Sequence, residues 1–398
     1  MWGKYSTNRG NRLTLQIINL LLTTMIRFIR HILLILTAFV MVATAKAQEK
    51  NMTTLLGVDF DTFFDNTEYS GTAFGGSGTI FSARLTPKVG VAWDEKNSLV
   101  VGADLFTDFG NETKFISKAR PQLYYRLASE KVKAYAGIFD RSAMKGYYSE
   151  LFFSDAARYY ENRVQGVLGQ YTGERGYVEL SVDWCGMYSA EARERFRVLT
   201  AGRYDIGRNR LFYAGYAMQL FHFAGSETIK GSVVDNAIVN PYIGAQFNAF
   251  FDFDIKLHGI LTAQRDRAVE DKLQMPGGGL FQLRISKWGV YLDEQIYVGS
   301  NLMPYYYSAP NEKFANGYGS ELYSGSVLFG TRPYWGTDKH TLNYFFDTRI
   351  GYKNSFFNDT VSLNTFIAFQ CDGAKLGTRQ MLQLSVRLFK DIPFTKKR

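Results

Sequence analysis

The chain alternates apolar and polar residues along many short segments. In the segment 82–91, every second residue from Ala83 onward is apolar, while Arg84 and Lys88 lie among the residues between them. Successive side chains of a strand point to opposite faces, so each segment has one apolar and one polar face. About sixteen such segments follow one another without a helical pattern to cover them. We therefore predict an all-β transmembrane barrel whose apolar faces contact lipid and whose polar faces line the lumen.

Clusters of Gly, Asn and Asp separate the segments and define the predicted strands. The strands are predicted at 54–64, 79–93, 98–109, 115–128, 131–141, 163–172, 176–185, 194–205, 210–223, 236–249, 251–265, 278–287, 289–300, 341–353, 360–371 and 378–389. Short and long connections alternate between them, as periplasmic turns and external loops do in antiparallel up-and-down barrels. An even strand count returns the chain to the periplasm, so we assign 322–335 to an external loop. Strand counts of about 14 or 18 remain alternatives.

Charged residues avoid the predicted lipid-facing side in most segments. A charge on that side at mid-depth costs about 2–4 kcal/mol. Glu294 is the exception, because it falls in phase with the apolar residues Leu292 and Ile296. We expect a bulge at Glu294 or a position near the membrane rim.

Composition agrees with a barrel. Aromatic residues make up 16% of the chain, with 26 Tyr and 32 Phe, whereas Pro is scarce at eight. Aromatic girdles are typical of transmembrane barrels. Beyond residue 47 no apolar run reaches about 18 residues, which excludes membrane-spanning helices. Cys185 and Cys371 fall on distant predicted strands, so we expect two free thiols.

The N-terminus has the order of a secretory signal peptide. Basic residues after Met25 precede the apolar stretch 32–43 and the small-residue site Ala45-Lys46-Ala47. We assign 25–47 to a signal peptide and 1–24 to a spurious or disordered extension. Most of the net charge of +9 would then be absent from the mature chain, because 1–47 contains six basic and no acidic residues. Nucleic acid is therefore not an expected partner.

The C-terminal end supplies a resemblance. The run 383–389 ends in Phe389 and resembles the C-terminal signal of Gram-negative barrels, although 390–398 follows it as a predicted periplasmic tail. Over 48–389 the chain resembles porin-like outer-membrane β-barrel proteins of Gram-negative bacteria. The resemblance implies the cell outer membrane, with membrane lipid and small polar solutes as partners. It leaves open whether the barrel is a monomer or a trimer.

Catalytic chemistry has little support in the sequence. After residue 47 the chain contains three histidines, His222, His258 and His340, and none belongs to a catalytic or metal-binding motif. We therefore predict no catalytic residue, no metal and no cofactor, and we expect that the protein is not an enzyme.

Charges on the predicted lumen face form the most informative set. The basic residues of this lumen strip are Arg84, Lys88, Lys118, Arg120, Arg126, Lys133, Arg141, Arg195, Arg197 and Arg203. The acidic residues that alternate with them are Asp59, Asp61, Asp104, Asp108, Glu179 and Asp183. One interpretation is a set of cross-strand salt bridges, and the other is a basic strip that favours anions in a water-filled pore. Both can hold together.

Two long loops could enter the lumen. Porin-type barrels constrict their channel with the third external loop, and 142–162 has that position here. Its candidate constriction residues are Tyr147, Tyr148, Glu150, Phe152, Asp155 and Arg158. The aromatic-rich link 301–340 could form a glycan path or a lid.

The resemblance and the lumen charges favour a porin-like pore for small polar solutes, with a preference for anions. The first alternative is a structural or surface-binding barrel plugged by its own loops. The second is an outer-membrane enzyme. The sequence does not identify the transported solute.

Overall fold

A computed structural model describes residues 52–111, 114–228, 233–308, 317–330 and 343–393. The predicted extension 1–24, the signal peptide 25–47 and the end of the predicted tail, 394–398, lie outside the described residues. So do His340 and parts of the link 301–340.

The described residues form a closed antiparallel barrel of sixteen strands, in which each strand pairs with its neighbours in sequence and β1 pairs with β16. This confirms the predicted fold class and strand count. The strands are β1 (Met52–Glu68), β2 (Gly78–Trp93), β3 (Asn97–Asp108), β4 (Lys118–Ala128), β5 (Val132–Asp140), β6 (Arg163–Thr172), β7 (Gly176–Gly186), β8 (Arg195–Ile206), β9 (Phe212–Phe223), β10 (Val234–Asn248), β11 (Asp252–Asp266), β12 (Gly277–Lys287), β13 (Val290–Gly299), β14 (Asn343–Phe356), β15 (Val361–Cys371) and β16 (Leu376–Pro393).

β16 is longer than the sequence suggested. Its pairing with β1 runs from Glu68 opposite Thr378 to Thr53 opposite Pro393. The strand therefore continues past Phe389, and the prediction that residues 390–393 belong to a periplasmic tail is wrong, because they pair with β1 in the wall.

The alternation of faces follows the predicted phase. On β1, Asp61 is completely buried on the lumen side, whereas Val58 is 41% exposed on the side that meets lipid. Cys185 and Cys371 are free thiols.

The expectation of a bulge at Glu294 is wrong. Pairing of β13 with both neighbours is continuous through this residue, which lies opposite Leu283 on β12 and Thr348 on β14. Glu294 is the fifth residue of β13, so it lies within the wall and not at the strand's end. A register shift does occur on β7, between Trp184 and Gly186.

Two loops fill much of the barrel interior. The loop 141–162 contains a 3-10 turn (Arg141–Ala143) and α1 (Asp155–Tyr160). The described parts of the link 300–342 contain α2 (Tyr305–Ser308) and 3-10 turns at Gly319–Glu321 and Val327–Phe329. Among the described helices, none is long and apolar enough to cross a membrane.

The two loops pack on each other and on the wall. Backbone hydrogen bonds join them, from Ser154 N to Ser324 O (2.8 Å) and from Ser326 N to Glu150 O (2.7 Å). Their apolar side chains form one buried cluster with the inward residues of β8–β12. Its members include Phe152, Phe153, Leu302, Leu328, Phe329, Leu199, Ala217, Val234, Ile260 and Leu280. Where the two loops lie, the interior of the barrel is therefore packed like the core of a soluble protein.

Candidate functional site

The loop 141–162 crosses the lumen, and ion pairs attach it to strands on opposite sides of the barrel. Glu150 accepts a hydrogen bond of 2.8 Å from Arg349 Nη2 on β14 and lies 2.5 Å from Arg349 Nη1. Asp155 lies 3.0 Å from Arg379 on β16. Glu161, at the other end, lies 3.5 Å from Arg197 on β8. Because β8 and β16 are on opposite sides of a sixteen-strand ring, the loop spans the barrel.

The two carboxylates near Arg349 differ in their proton affinity. Burial raises the pKa of Glu150 above its ordinary value, although Arg349 acts in the other direction. Burial also opposes ionisation of Asp155, but Arg379 and Arg349 together outweigh it and hold the pKa of Asp155 below its ordinary value. The pKa values of two acids in one loop are thus shifted in opposite directions.

The other predicted constriction residues also lie in the lumen. Tyr147 donates a hydrogen bond of 2.6 Å to Gln282 Oε1 on β12. Tyr148 and Phe152 belong to the buried apolar cluster. Arg158 donates hydrogen bonds to backbone carbonyls of its own loop, including that of Phe153 at 3.2 Å. Their role in constriction stays a prediction.

A cavity of about 270 Å³ lies beside this loop, near the outer ends of β4–β8. Five arginines line it, which are Arg120, Arg141, Arg163, Arg195 and Arg197. Three carboxylates line it as well, from Glu161, Asp183 and Glu321. Among the charged lining residues, positive charges therefore exceed negative ones by two.

Three of the guanidinium groups keep hydrogen-bond donors unused. Arg141 Nη2 lies 2.7 Å from Asp183, and Arg197 Nη2 donates to Ser324 Oγ at 2.6 Å. Arg195 Nη1 lies 3.0 Å from Glu321. The buried nitrogens Arg141 Nη1, Arg195 Nε and Arg197 Nε have no hydrogen-bond partner among the described residues, whereas Arg197 Nη1 forms the 3.5 Å ion pair with Glu161.

The five arginines define what the cavity can bind. Guanidinium groups match the geometry of phosphate and carboxylate oxygens and stay charged at any physiological pH. The arrangement therefore suits a small anion with two or more oxygens.

Sequence reasoning missed Arg163 and two loop acids of the cavity, Glu161 and Glu321. Arg163 is the first residue of β6 and shares the outward phase of Gln165, so alternation alone does not place it on the lumen strip. It forms a buried pair with Asp104 and lies 3.1 Å from Asp140. These two acids balance much of its charge. Glu161 and Glu321 lie in loops, which carry no alternation from which to place them.

The structure brings together only part of the predicted basic strip. Arg120, Arg141, Arg195 and Arg197 meet at the cavity. Arg84 and Lys88 on β2 form ion pairs with Asp61 and Asp59 of β1. Arg203 pairs with Asp205 at 2.8 Å, away from the cavity. Lys118, Arg126 and Lys133 are not among the residues that line it.

The predicted acidic residues hold the arginines or the loop. Asp183 binds Arg141. Glu179 accepts hydrogen bonds from the backbone N–H groups of Lys145 (2.7 Å) and Gly146 (2.9 Å), which anchors the loop 141–162 to β7. Asp108 accepts a hydrogen bond from the Tyr160 hydroxyl at 3.2 Å.

The described histidines lie apart from the cavity. His258 Nε2 lies 2.9 Å from Gln282 Oε1, and His258 Nδ1 lies 3.2 Å from the Asn240 amide nitrogen. The assigned tautomer therefore donates from Nε2 and accepts at Nδ1. His222 lies 3.9 Å from Asp235 at the outer ends of β9 and β10. Within the described part of the chain, no group of three His, Cys, Asp or Glu residues could hold a metal ion.

Comparison with known proteins gives one family and a set of similar folds. The family model described as lipid A 3'-O-deacylase-type matches residues 46–388. A comparison with curated protein sequences found no match.

Several solved outer-membrane structures are similar in fold. OpdO of Pseudomonas aeruginosa aligns with a TM-score of 0.50 and 8% identity, over 84% of this chain and 97% of that one. The outer membrane protein OprD of the same species aligns with a TM-score of 0.47 and 9% identity, over 86% of this chain and 94% of that one. OccAB3 of Acinetobacter baumannii aligns with a TM-score of 0.46 and 8% identity, over 85% and 99%. At such identities the likeness concerns the fold.

Proposed function

The chain belongs to the lipid A 3'-O-deacylase-type family, and we propose that this member is a restricted, porin-like pore for small anionic solutes. It is a sixteen-strand β-barrel of the outer membrane. The observation that carries the proposal is the cavity of about 270 Å³, which five arginines and three carboxylates line.

The packing of the lumen supports a restricted passage. A barrel of about sixteen strands is too wide for its own inward side chains to fill. Here the loop 141–162 and the described part of the link 300–342 occupy the interior and bury an apolar cluster. A solute would therefore pass beside the loops, where the arginine-lined cavity lies, and not through a wide central channel.

Electrostatics supports the choice of anions. The charged side chains that line the cavity have more positive than negative charges, and rings or strips of arginine favour anion passage in narrow pores. Arg141 and Arg197 are pre-positioned for this task because Asp183, Ser324 and stacking on the Phe153 and Phe221 rings fix their planes. Phosphate and carboxylate solutes fit these donors best.

Single-channel recording in planar bilayers tests the proposal. The wild type should conduct with a preference for anions, and the double variant Arg141→Gln/Arg197→Gln should reduce the anion-to-cation permeability ratio several-fold. Arg203→Gln is the matched control, because Arg203 is also an inward arginine of β8 but pairs with Asp205 outside the cavity. A silent bilayer, or an unchanged ratio in the double variant, would contradict the proposal.

We further propose that this chain is not itself a hydrolase, although its family is named after a deacylase. In support, His258 is bound by two amide side chains and not by a carboxylate. Asp235, which lies 3.9 Å from His222, pairs more closely with Arg267, at 2.9 Å. Neither described histidine therefore has the close carboxylate partner that usually orients a general base. The decisive assay incubates the barrel with lipid A and analyses the lipid by mass spectrometry. Release of the 3'-acyl chain by the wild type would refute this second proposal.

A further inference from the structure

We infer that the arginine-lined cavity has a lateral entrance through the barrel wall, by which it takes up single-chain anionic amphiphiles from the outer leaflet. The inference rests on the proposed function in one respect, which is that the cavity binds anions. It adds a route and a class of ligand, namely a molecule with one phosphate or carboxylate head and one alkyl tail.

The wall is incomplete where β5 and β6 approach the outer surface. β4 begins at Lys118, but its pairing with β5 starts only at Leu123, opposite Ile138. β7 runs to Gly186, but its pairing with β6 stops at Asp183, opposite Gly166. The outer tips of β5 and β6 thus pair with each other and have no ladder partner on β4 or β7 among the described residues.

Two glycines mark the points at which the tips leave the wall. Gly137 and Gly166 lie directly opposite each other on β5 and β6, and both have positive φ, at 119° and 158°. A Cβ on Gly137 would lie 2.2 Å from Leu123 O, and a Cβ on Gly166 would lie 2.2 Å from Val182 O. The backbone conformation at both positions therefore requires glycine. The two glycines of the sequence therefore determine where the tips of β5 and β6 leave the wall.

The resulting notch connects lipid to the cavity. Among the residues that line the cavity, Pro121, Ile138 and Gln165 lie on the outward phase of β4, β5 and β6, whereas Arg141 and Arg197 lie inside. A single cavity thus reaches the outward face of the wall on one side and guanidinium groups on the other. Pro121 has no N–H to offer to a neighbouring strand, which helps to keep the notch unpaired.

The size of the cavity limits the ligand. At about 270 Å³, it falls just below the range of about 300–1,000 Å³ that is usual for sites of drug-sized ligands. It can hold one small anionic head and not a phosphorylated disaccharide. The head would accept hydrogen bonds from Arg141 and Arg197, while the tail would lie over Pro121 and Ile138 in the bilayer.

The experiment compares an amphiphilic and a soluble probe. The barrel is placed in phosphatidylcholine nanodiscs, and native mass spectrometry measures retained decyl phosphate and retained inorganic phosphate. Ile138→Trp fills the notch, and Ile243→Trp is the matched control on the lipid-facing side of β10, where Ile243 is exposed. Heat-dependent gel migration checks that each variant is folded.

Because the tryptophan occupies the space of the alkyl tail, we expect Ile138→Trp to lower the ratio of decyl phosphate to inorganic phosphate by about tenfold, which is the size of effect that one small apolar contact has in binding pockets. Ile243→Trp should keep the wild-type ratio. If Arg141→Gln/Arg197→Gln leaves both probes bound, the proposed anion site is wrong. If that double variant loses both probes but Ile138→Trp keeps the wild-type ratio, the anion site stands and the lateral entrance is refuted.

Discussion

Thr348 on β14 donates a hydrogen bond of 2.5 Å to the Glu294 carboxylate of β13 on the lipid-facing side of the wall. Leu292 and Ile296, which share that side of β13, are exposed. With a rise of about 3.3 Å per residue and a tilt of about 40°, Glu294 lies roughly 10 Å along the barrel axis from Val290 at the inner end of β13, in a wall whose apolar band is about 25 Å tall. A carboxylate thus faces the bilayer near mid-depth, with a threonine as its described partner.

Replacing Glu294 should stabilise the barrel. Glu294→Leu removes a group that lipid solvates poorly, so we expect the free energy of unfolding from the membrane to rise by about 1–2 kcal/mol, less than the effect of a mid-depth Arg or Lys. Thr348→Val should act in the opposite direction and cost about 1 kcal/mol or more, because the carboxylate loses its donor. Urea unfolding in phosphatidylcholine vesicles measures both, and a destabilised Glu294→Leu variant would contradict this account.

The wall could be predicted from the sequence because its information is local. Alternation with a period of two places Asp61 in the lumen and Val58 in lipid without any knowledge of neighbouring strands. Glu294 shows the limit of that rule, because its phase places it on the lipid side although it carries a charge. In the structure the alternation continues through Glu294, and its carboxylate accepts a hydrogen bond from Thr348. Thr348 is about fifty residues away in sequence, and only strand pairing brings it opposite Glu294.

The site was less predictable because it depends on paths of loops. Arg141 and Arg197 were on the predicted lumen strip, but their convergence follows from Glu161 and Ser324, which two loops bring between them. No periodic pattern encodes such a path. The notch had a weak signal in Gly137 and Gly166, although glycine in a strand marks a bulge, a bend or a close approach without distinguishing them.

The glycine pair at the base of the notch should tolerate no side chain. Gly137→Ala and Gly166→Ala each force a Cβ against a neighbouring carbonyl and a positive φ, so we expect each to cost about 1–3 kcal/mol of unfolding free energy. Gly169→Ala is the control, because Gly169 is also on β6 and a Cβ there meets no atom within 4 Å. Equal effects of all three substitutions in urea unfolding would show that the backbone at the notch is not special.

Glu150 and Asp155 should give opposite dependences of stability on pH. The raised pKa of Glu150 means that its contribution is fully present below the ordinary value of about 4.3 and is lost as the pH rises through the folded value. The lowered pKa of Asp155 gives a contribution present above about 3.9 and lost as the pH falls through the folded value.

Neutral variants separate the two effects. Glu150→Gln should leave stability at pH 7 unchanged or higher and flatten its decline between acidic and neutral pH. Asp155→Asn should cost about 3 kcal/mol at pH 7, because it breaks a buried pair and leaves Arg379 short of a partner. Unfolding curves at several pH values measure both, and a similar loss for the two variants would refute the assignment.

Arg379 should control how firmly the loop 141–162 closes the lumen. Arg379 joins the wall to the loop, because it binds Asp65 of β1 at 2.7 Å and Asp155 of α1 at 3.0 Å. Arg379→Gln should release that end of the loop, so we expect a larger and noisier single-channel conductance. Arg387→Gln is the control, because Arg387 lies on the same strand but pairs with Asp61 and not with the loop. A matching rise in both variants would attribute the change to the wall, whereas a rise confined to Arg379→Gln would identify the loop as the element that sets the width of the passage.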